Sequence, residues 1–346
     1  MKMKLTRLIF LLISAFLTGS GVGCNPSPKK IMIKGRQIWV DDAPYFIKGI
    51  CYNPVPKGSE IRDFNTLETD LKLMVEAGIN TLRVYSPIEE KSVLDKIEAA
   101  GIKVIISIGY DQQGYYDLIT NSYINYVKKY KDHNAILFWE LGNEYNYHPE
   151  WFDGDIKKWY AILNQAAKTI HQIDRKHPVS SAHGELPDSL AFSICTDLDL
   201  WGLNVYRWDN PNELFEQWEE LSDKPLYFSE AGSDSYMTTD RDGFIQGENQ
   251  KAQAVANSKI VDAVFQNAHL ISGLTLFSFS DEWWKAGNPQ QQDIGGFAPN
   301  SSGVPYDGSP NEEYWGIVDI DRNKKESFHV LKEQYRNFDL KKQTPH

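Results

Sequence analysis

Hydrophobic and polar positions follow two alternating patterns along most of this chain. Short apolar runs indicate buried strands, and the segments between them repeat apolar residues every three to four positions, which indicates amphipathic helices. Gly78 and Gly101 follow the first two helical segments, where glycine commonly ends a helix. The predicted strands are 46–51, 79–85, 102–108, one that starts at 136, 178–183, 200–206, 225–229 and 274–279. The predicted helices are 66–77, 89–100, 115–130, 156–173, 212–221, 249–268 and 327–337.

This order of elements predicts the α/β class and a (β/α)8 TIM barrel, because strands that alternate with helices form parallel sheets and eight such units close into a barrel. A β-hairpin within residues 31–45 is expected to plug the barrel floor. A loop rich in Gly, Pro, Asn and Gln at 284–315 follows strand eight, and we expect it to overhang the face formed by the carboxyl ends of the strands. The barrel domain is predicted to span 31–338, with a C-terminal tail at 339–346.

The first 30 residues are expected to lie outside the folded domain. Residues 1–24 carry a basic start, an apolar run and then small residues up to Cys24, which is the layout of a secretory signal. Gly-Val-Gly-Cys at 21–24 resembles a bacterial lipoprotein signal, in which the Cys becomes the lipidated first residue of the mature chain. We therefore expect an exported protein, lipid-anchored at Cys24 to a bacterial membrane or cell surface, with a tether at 25–30. A periplasmic or secreted form is the alternative.

Composition and charge narrow the range of functions. The 346 residues are 41% hydrophobic, enough for a large core, and their formal net charge of −11 repels phosphate backbones, so nucleic acid is not expected as a partner. The eight histidines lack ligand spacing and no cofactor-binding motif is found, so neither a catalytic metal nor a cofactor is expected. Cys51 and Cys195 lie among apolar residues and are expected to be buried thiols, with a single disulfide as the alternative.

Two glutamates stand at the ends of predicted strands. Glu144 closes the stretch Trp-Glu-Leu-Gly-Asn-Glu at 139–144, and Glu230 opens Glu-Ala-Gly at 230–232. Parallel barrels keep their chemistry at the carboxyl ends of the strands. Two carboxyl groups cleave a glycosidic bond when one protonates the leaving oxygen and the other supports the anomeric carbon. The pair therefore predicts a site that acts on glycosidic bonds.

The ordered set of motifs resembles clan A of the glycoside hydrolases. The resemblance rests on 139–144 and 229–232, and on Phe-Ile-Lys-Gly-Ile at 46–50, Gly-Ile-Asn-Thr-Leu-Arg-Val-Tyr at 78–85 and Gly-Leu-Asn-Val-Tyr at 202–206. The last three stretches most resemble cell-wall β-1,3-glucanosyltransferases and the catalytic barrels of the β-galactosidase and β-glucuronidase type. The resemblance implies retention through a covalent glycosyl-enzyme, with the two carboxyl groups about 5 to 5.5 Å apart.

The resemblance also implies roles for individual residues. Glu144 matches the general acid/base, which needs a pKa raised toward neutrality, and Glu230 matches the nucleophile, which must stay ionised. Asn143 matches the side chain that bonds the sugar 2-hydroxyl. Tyr206 matches the tyrosine whose hydroxyl bonds the nucleophile, with packing at the barrel rim as its alternative role.

Three further polar residues have two interpretations each. Arg83 resembles the arginine that lies under the nucleophile, but it could instead pair with Glu140. Glu140 lies four residues before Glu144 and so points to the same side of the strand, where a carboxylate needs a partner, and we expect it to be structural. His183 ends strand five, where it either reaches substrate or is a satisfied structural residue.

Strand eight departs from the β-galactosidase pattern. Phe277 stands about where those enzymes place a tryptophan beneath the sugar, so the platform is expected from Trp283 or Trp284. Glu282 is either a third active-site carboxylate or a solvated loop charge, and the loop charge is favoured.

The sequence therefore predicts a retaining glycoside hydrolase that cleaves β-glycosidic bonds in a β-glucan-type polysaccharide or oligosaccharide, with β-1,3-glucan favoured by resemblance alone. A transglycosylase on the same site, in which another sugar replaces water, is the first alternative. The alternative from another class is a non-catalytic carbohydrate-binding surface lipoprotein, although binding alone would not need both carboxylates. The expected partner is carbohydrate, the membrane is contacted only through the lipid anchor, and the oligomeric state stays open.

Overall fold

Thirteen strands and eight α-helices make up the part of the chain that the computed structural model describes, residues 30–109, 116–207, 210–295 and 308–340. The strands are β1 (Ile31–Lys34), β2 (Gln37–Val40), β3 (Ala43–Tyr45), β4 (Ile47–Cys51), β5 (Thr81–Val84), β6 (Lys103–Ile108), β7 (Ile136–Asn143), β8 (Val179–Gly184), β9 (Trp201–Val205), β10 (Leu226–Ala231), β11 (Tyr236–Met237), β12 (Gly247–Glu248) and β13 (Ile271–Leu276). The helices are α1 (Leu67–Ala77), α2 (Lys91–Ala99), α3 (Tyr123–Tyr130), α4 (Ile156–Ile173), α5 (Ser189–Ile194), α6 (Asn212–Leu221), α7 (Gln250–Gln266) and α8 (Glu326–Asn337).

Eight of these strands form a closed parallel barrel in the order β4-β5-β6-β7-β8-β9-β10-β13, which confirms the predicted (β/α)8 fold. Strands β5, β6, β8, β9, β10 and β13 are buried at every position, as expected for parallel strands with helices outside and packed side chains inside. None of the described helices is both long and apolar enough to cross a membrane. The predicted signal at 1–24, residues 25–29 of the tether and residues 341–346 of the tail lie outside the described residues.

A small antiparallel sheet covers the floor of the barrel. The predicted hairpin is present as β1 and β2, and β3 adds a third strand that the sequence analysis does not predict. Ile38 and Val40 pack in one cluster with Ile47 and Leu137, which lie at the amino ends of β4 and β7. The amino ends of the barrel strands are thus closed by apolar packing, and polar chemistry is left to their carboxyl ends.

Helix α3 begins later than its apolar periodicity predicts. The prediction starts at residue 115, which lies outside the described residues, whereas the helix starts at Tyr123. The Asp117 carboxylate accepts the backbone N–H groups of Ile119 and Thr120 at 2.9 and 2.7 Å. Because these bonds offer the backbone an alternative to the helical ladder, the segment before Tyr123 forms turns.

Strand β13 begins and ends three residues earlier than predicted. Gly273 pairs with Ile47, and a Cβ at Gly273 would lie 2.1 Å from the Ile47 carbonyl oxygen, so the close approach of β13 to β4 requires glycine here. The apolar run after Leu276 therefore lies beyond the strand. Phe277 consequently belongs to the carboxyl end of the barrel rather than to its wall.

Both cysteines outside the predicted signal are free and buried, as the sequence predicts. The Cys51 thiol contacts the Ser229 carbonyl oxygen at 3.4 Å. Burial raises the pKa of Cys51 and of Cys195 to about 12, so both behave as inert apolar side chains.

Candidate active site

A sharp turn at the carboxyl end of β7 delivers Glu144. Gly142 has a φ of 73°, and a Cβ there would lie 2.6 Å from the Trp159 ring, so only glycine fits. Glu144 itself has a φ of 57°, which is uncommon for a residue with a side chain. Its N–H donates to the Ala182 carbonyl at 2.9 Å, which ties the turn to β8. Unusual backbone conformations of this kind cluster at functional sites.

Glu230, the fifth residue of β10, is 6% exposed and is surrounded by donors. Its Oε1 accepts from Arg83 Nη1 at 2.7 Å and from the Tyr85 hydroxyl at 2.8 Å. Its Oε2 accepts from the Tyr206 hydroxyl at 2.6 Å. Burial and the Glu230 charge hold the pKa of Tyr206 well above its ordinary value, so this hydroxyl keeps its proton and remains a donor.

Tyr85 is a site residue that sequence reasoning missed as an individual. It ends the stretch 78–85 on which the resemblance rests, and this position was the available signal. The side chain of a residue one step beyond β5 cannot be placed against a carboxylate on β10 without the barrel register.

Arg83 lies beneath the site and joins three side chains. It is fully buried, and its Nε donates to Glu140 at 2.9 Å, its Nη1 to Glu230, and its Nη2 to Asn143 at 2.8 Å. Arg83 therefore contacts both Glu230 and Glu140, the two alternatives that the sequence left open. Because the planar guanidinium fixes the directions of its donors, it holds the three partners in one arrangement.

Glu140 is satisfied inside the barrel, as the sequence predicts. Besides Arg83, the Ser107 and Tyr227 hydroxyls donate to its carboxylate, and Glu140 has no exposed surface. A buried charge with this number of partners is structural.

Asn143 and Asn204 are bonded to each other beside Glu144. The side-chain oxygen of Asn143, Oδ1, accepts from Arg83 and, at 3.1 Å, from Asn204 Nδ2. The side-chain nitrogen of Asn143 is therefore the end that can donate to a ligand. Asn204 is fixed in turn by the Ser229 hydroxyl, which donates to its oxygen at 2.7 Å. Sequence reasoning missed Asn204, although it lies within the quoted stretch 202–206.

The environment of Glu144 differs from that of Glu230. Burial first, and the Glu230 charge second, raise the pKa of Glu144 to about 7, against smaller opposing effects of a hydrogen bond from Asn204 and the Arg83 charge. Glu144 can therefore hold a proton near neutral pH, which the predicted acid/base role requires.

His183 has protein partners at both ring nitrogens. Nδ1 lies 3.0 and 3.1 Å from the carbonyl oxygens of Gly184 and Glu185, and Nε2 lies 3.3 Å from the Tyr160 hydroxyl. Burial lowers the pKa of His183 to about 4, so the ring is neutral at physiological pH. These contacts are those of the structural alternative, and a role toward substrate stays a prediction.

Phe277 and Trp315 form the aromatic side of the site. Phe277 packs against Trp315, Tyr206 and Tyr85, with ring centroids 5.6, 6.4 and 6.5 Å apart. Trp315 also meets Tyr206 edge to face at 5.2 Å. Sequence reasoning missed Trp315 because it lies 38 positions after Phe277 (315 minus 277), at the far end of the predicted loop.

Trp283 and Trp284, the predicted platform residues, are partly buried beside lysines. Lys57 Nζ lies 4.2 Å from the Trp283 ring centre, and Lys285 Nζ lies 4.9 Å from that of Trp284. Neither ring belongs to the group of side chains that packs around Phe277. Part of the loop expected to overhang the site, residues 296–307, lies outside the described residues.

The favoured interpretation of Glu282 as a solvated loop charge is wrong. Glu282 is only 4% exposed, and burial raises its pKa to about 7. The stretch that carries it packs back onto the barrel, since the backbone N–H and carbonyl groups of Phe279 pair with Cys51 and Val318. The turn-forming residues after this strand do not indicate that the chain packs back onto the barrel.

A possible cation-binding group within the described residues lies away from the glutamates. Candidate ligand atoms of Asp95, Glu98 and His133 lie within 4.8 Å of one another. His133 precedes the first residue of β7, so the group is at the amino ends of the strands, opposite the site. Its acids bond to Lys91 and Asn134, which accounts for their position without an ion.

The curated relatives of the chain act on β-glucan linkages by name. A 1,3-beta-glucanosyltransferase of Saccharomyces cerevisiae is 24% identical over 265 residues, which cover 62% of this chain and 54% of the relative. One of Candida albicans is 24% identical over 244 residues, covering 58% of this chain and 52% of the relative. The chain thus spans about half the length of the curated relatives it matches. No protein-family model matches the sequence.

The solved structures share the barrel. A GH2 beta-galacturonidase from Eisenbergiella tayi superposes with a TM-score of 0.66 at 20% identity, over 90% of this chain and 54% of that one. A Faecalibacterium prausnitzii beta-glucuronidase gives a TM-score of 0.68 at 20% identity, over 90% of this chain and 52% of that one. The chain therefore has the (β/α)8 fold of these glycosidases.

Proposed function

We propose that the protein is a retaining glycoside hydrolase that cleaves β-glycosidic bonds in a β-glucan-type polysaccharide or oligosaccharide. One observation carries the proposal: two glutamates at the carboxyl ends of β7 and β10 have different environments. Glu230 is held by three donors, whereas Glu144 has its pKa raised to about 7. Double displacement needs this division between an ionised nucleophile and a protonated acid.

The first step forms the glycosyl-enzyme. Glu144 gives its proton to the glycosidic oxygen while a Glu230 oxygen attacks the anomeric carbon, so the bond to the leaving group breaks and an ester bond to Glu230 forms. The Asn143 amide is the donor available for the sugar 2-hydroxyl, and a bond there strengthens as charge develops on the sugar ring.

The second step releases the sugar. Glu144, now ionised, takes a proton from a water molecule whose oxygen attacks the anomeric carbon, and the ester bond to Glu230 breaks. A pKa near 7 suits both steps, because the group must give a proton and take one back at the same pH. Arg83, Tyr85 and Tyr206 then stabilise the carboxylate that is released.

A transglycosylase is the second candidate, and the names of the curated relatives favour it. In that case the hydroxyl of another sugar replaces water in the second step. A β-1,3-glucan substrate is supported by the names of the same relatives.

A product profile by mass spectrometry with a β-1,3-glucan oligosaccharide tests both candidates, with Glu230→Ala as the control. Products shorter than the starting oligosaccharide, without longer ones, are expected for hydrolysis. Longer products would replace hydrolysis by transglycosylation. Loss of the substrate in the Glu230→Ala sample as well would contradict the site assignment.

Absence of turnover on β-1,3-glucan and on other β-glucans, mannans and galactosides would favour the carbohydrate-binding lipoprotein. Export and the lipid anchor are part of this proposal and rest on residues 1–24. Incorporation of labelled fatty acid into the wild type but not into Cys24→Ala is expected in a bacterial host. Equal labelling of the wild type and Cys24→Ala would contradict a lipid anchor at Cys24.

A further inference from the structure

Three charged side chains lie together after strand β13. Lys285 Nζ is 3.4 Å from a Glu312 carboxylate oxygen and 3.9 Å from a Glu282 carboxylate oxygen. The Glu282 side chain is 5% exposed and that of Glu312 is 14% exposed. The group, which we call the Lys285 cluster, is thus largely withdrawn from solvent.

The Lys285 cluster borders the two catalytic glutamates. Lys285 Nζ lies 5.5 Å from the centre of the Phe277 ring, and Phe277 packs against Tyr206, which donates to Glu230. The Glu230 charge acts on both Glu282 and Lys285, and the Glu312 charge acts on Glu144. The Lys285 cluster therefore lies close enough to both glutamates for its charges to act on them and on a sugar bound between them.

We propose that Glu282, held by Lys285, binds hydroxyl groups of the sugar in the cleavage site and makes the site selective for uncharged sugars over uronic acids. This inference rests on the proposed glycosidase function and names its substrate class. A buried carboxylate with one ion-pair contact at 3.9 Å still has acceptor capacity for hydroxyl donors. Bonds from hydroxyls to a carboxylate are among the stronger hydrogen bonds.

The charge balance of the site supports the selectivity. Arg83 pairs with Glu140 and Glu230, and Lys285 pairs with Glu282 and Glu312, so each of these cations is shared between two carboxylates. A uronic acid would add a further carboxylate beside Glu282 in a poorly solvated space, where repulsion between like charges is costly.

Lys285 could in principle attract a uronate, but Glu282 and Glu312 already neutralise it. The proposal therefore gives Glu282→Gln a defined effect: it removes an acceptor from the neutral sugar and frees part of the Lys285 charge. Turnover of a neutral glycoside should fall, and the relative turnover of a uronide should rise.

The test compares kcat/KM for 4-nitrophenyl β-glucoside, β-galactoside and β-mannoside with the corresponding uronides. We expect the wild type to use at least one neutral glycoside and to use its uronide at least tenfold less well. Glu282→Gln should lower kcat/KM for that neutral glycoside about tenfold or more and raise the uronide-to-neutral ratio at least tenfold. Glu60→Gln, which removes an exposed charge from another loop, should change neither value.

Three results would overturn the inference. The first is a wild type that prefers the uronide, which would assign Lys285 to a substrate carboxylate. The others are a uronide-to-neutral ratio that does not change in Glu282→Gln, or one that changes equally in Glu60→Gln. A binding measurement separates this failure from that of the proposed function. Glu230→Gln should bind a neutral β-glucan oligosaccharide at least tenfold more tightly than the same oligosaccharide oxidised to uronic acids, and Glu282→Gln added to it should remove the preference. That preference without turnover in the wild type would reject the glycosidase and keep the inference, whereas no preference would reject the inference.

Discussion

Glu144 and Glu230 are the same residue type at the carboxyl ends of barrel strands, and the protein surrounds them differently. Glu230 receives hydrogen bonds from a guanidinium and two phenols. Glu144 stands on a left-handed turn, and burial and the charge of its neighbour raise its pKa to about 7. The difference between the two carboxyl groups is made by their neighbours and not by their own chemistry.

Arg83 lies beneath the site on the side of Glu230. Its charge stabilises Glu230 directly and reaches Glu144 only as a weaker effect that lowers the pKa. If the cation lay between the two glutamates, both would be ionised and no proton would be available at neutral pH. An acid and a nucleophile side by side require an off-centre cation.

The largest effect is expected from Glu230→Ala. Without the nucleophile no glycosyl-enzyme forms, and kcat should fall about 10⁴-fold or more on every substrate. Steady-state rates on aryl glycosides measure this, and circular dichroism checks the fold. Restored activity with an added small anion such as azide, giving the inverted glycosyl azide, would support the role, while residual activity within tenfold of the wild type would exclude it.

Glu144→Ala should have an effect that depends on the leaving group. The loss of kcat/KM should be about 10²- to 10⁴-fold for unactivated oligosaccharides, which need the proton, and much smaller for dinitrophenyl glycosides, which leave unaided. A series of aryl glycosides of graded leaving-group pKa measures the difference. Equal losses along the series would take Glu144 out of the acid role.

Replacing single donors to Glu230 should give smaller effects. Tyr206→Phe and Tyr85→Phe each remove one hydrogen bond to the nucleophile and should lower kcat about 10- to 100-fold, because bonds to charged groups contribute about 1.5–3 kcal/mol. Tyr126→Phe is a matched control, since its hydroxyl bonds the Ile88 backbone and, among the described residues, no catalytic carboxylate. A loss of similar size in Tyr126→Phe would show that packing, not the bond to Glu230, is measured.

The pH profile should report Glu144. Because its pKa is about 7 and the protonated form is the acid, kcat/KM should fall about tenfold per pH unit above that value. Initial rates between pH 5 and 9 test this, and Glu144→Ala with a dinitrophenyl glycoside should lose the alkaline fall. A wild-type profile that stays flat to pH 9 would contradict the assignment.

Sequence reasoning reached the barrel and both glutamates because each depends on local pattern. Alternating strand and helix periods count the units, and an apolar strand that ends in Gly-Asn-Glu places a carboxyl group at a known edge of the barrel. The need of Glu140 for a partner also followed, since the pleat puts it on the same side as Glu144 and a buried carboxylate needs a partner, but its bonds from Ser107 and Tyr227 did not.

The missed residues depend on contacts between distant elements. Tyr85 and Asn204 meet their partners only through the barrel register, and Trp315 comes from the end of a long loop. The turn residues that follow Glu282 favour a solvent-exposed side chain, whereas the backbone before it folds back onto β4 and buries it. The composition of a segment indicates its local conformation, and it does not indicate that the segment packs back onto the barrel.

The smallest effect concerns stability, and it should have opposite signs at the two glutamates. The pKa of Glu144 is about 7 in the folded protein and 4.5 as its ordinary value, so both states hold the proton below pH 4.5 and the folded state carries the cost of ionisation above pH 7. Glu144→Gln should therefore raise the free energy of unfolding by about 1–3 kcal/mol at pH 8 and by little at pH 4.5. Glu230→Gln should lower it at pH 8, because it removes one of the two carboxylates that pair with the buried Arg83. Urea unfolding of the two variants at both pH values measures the difference, and a Glu144→Gln variant less stable than the wild type at pH 8 would show that its carboxylate is not held at a cost.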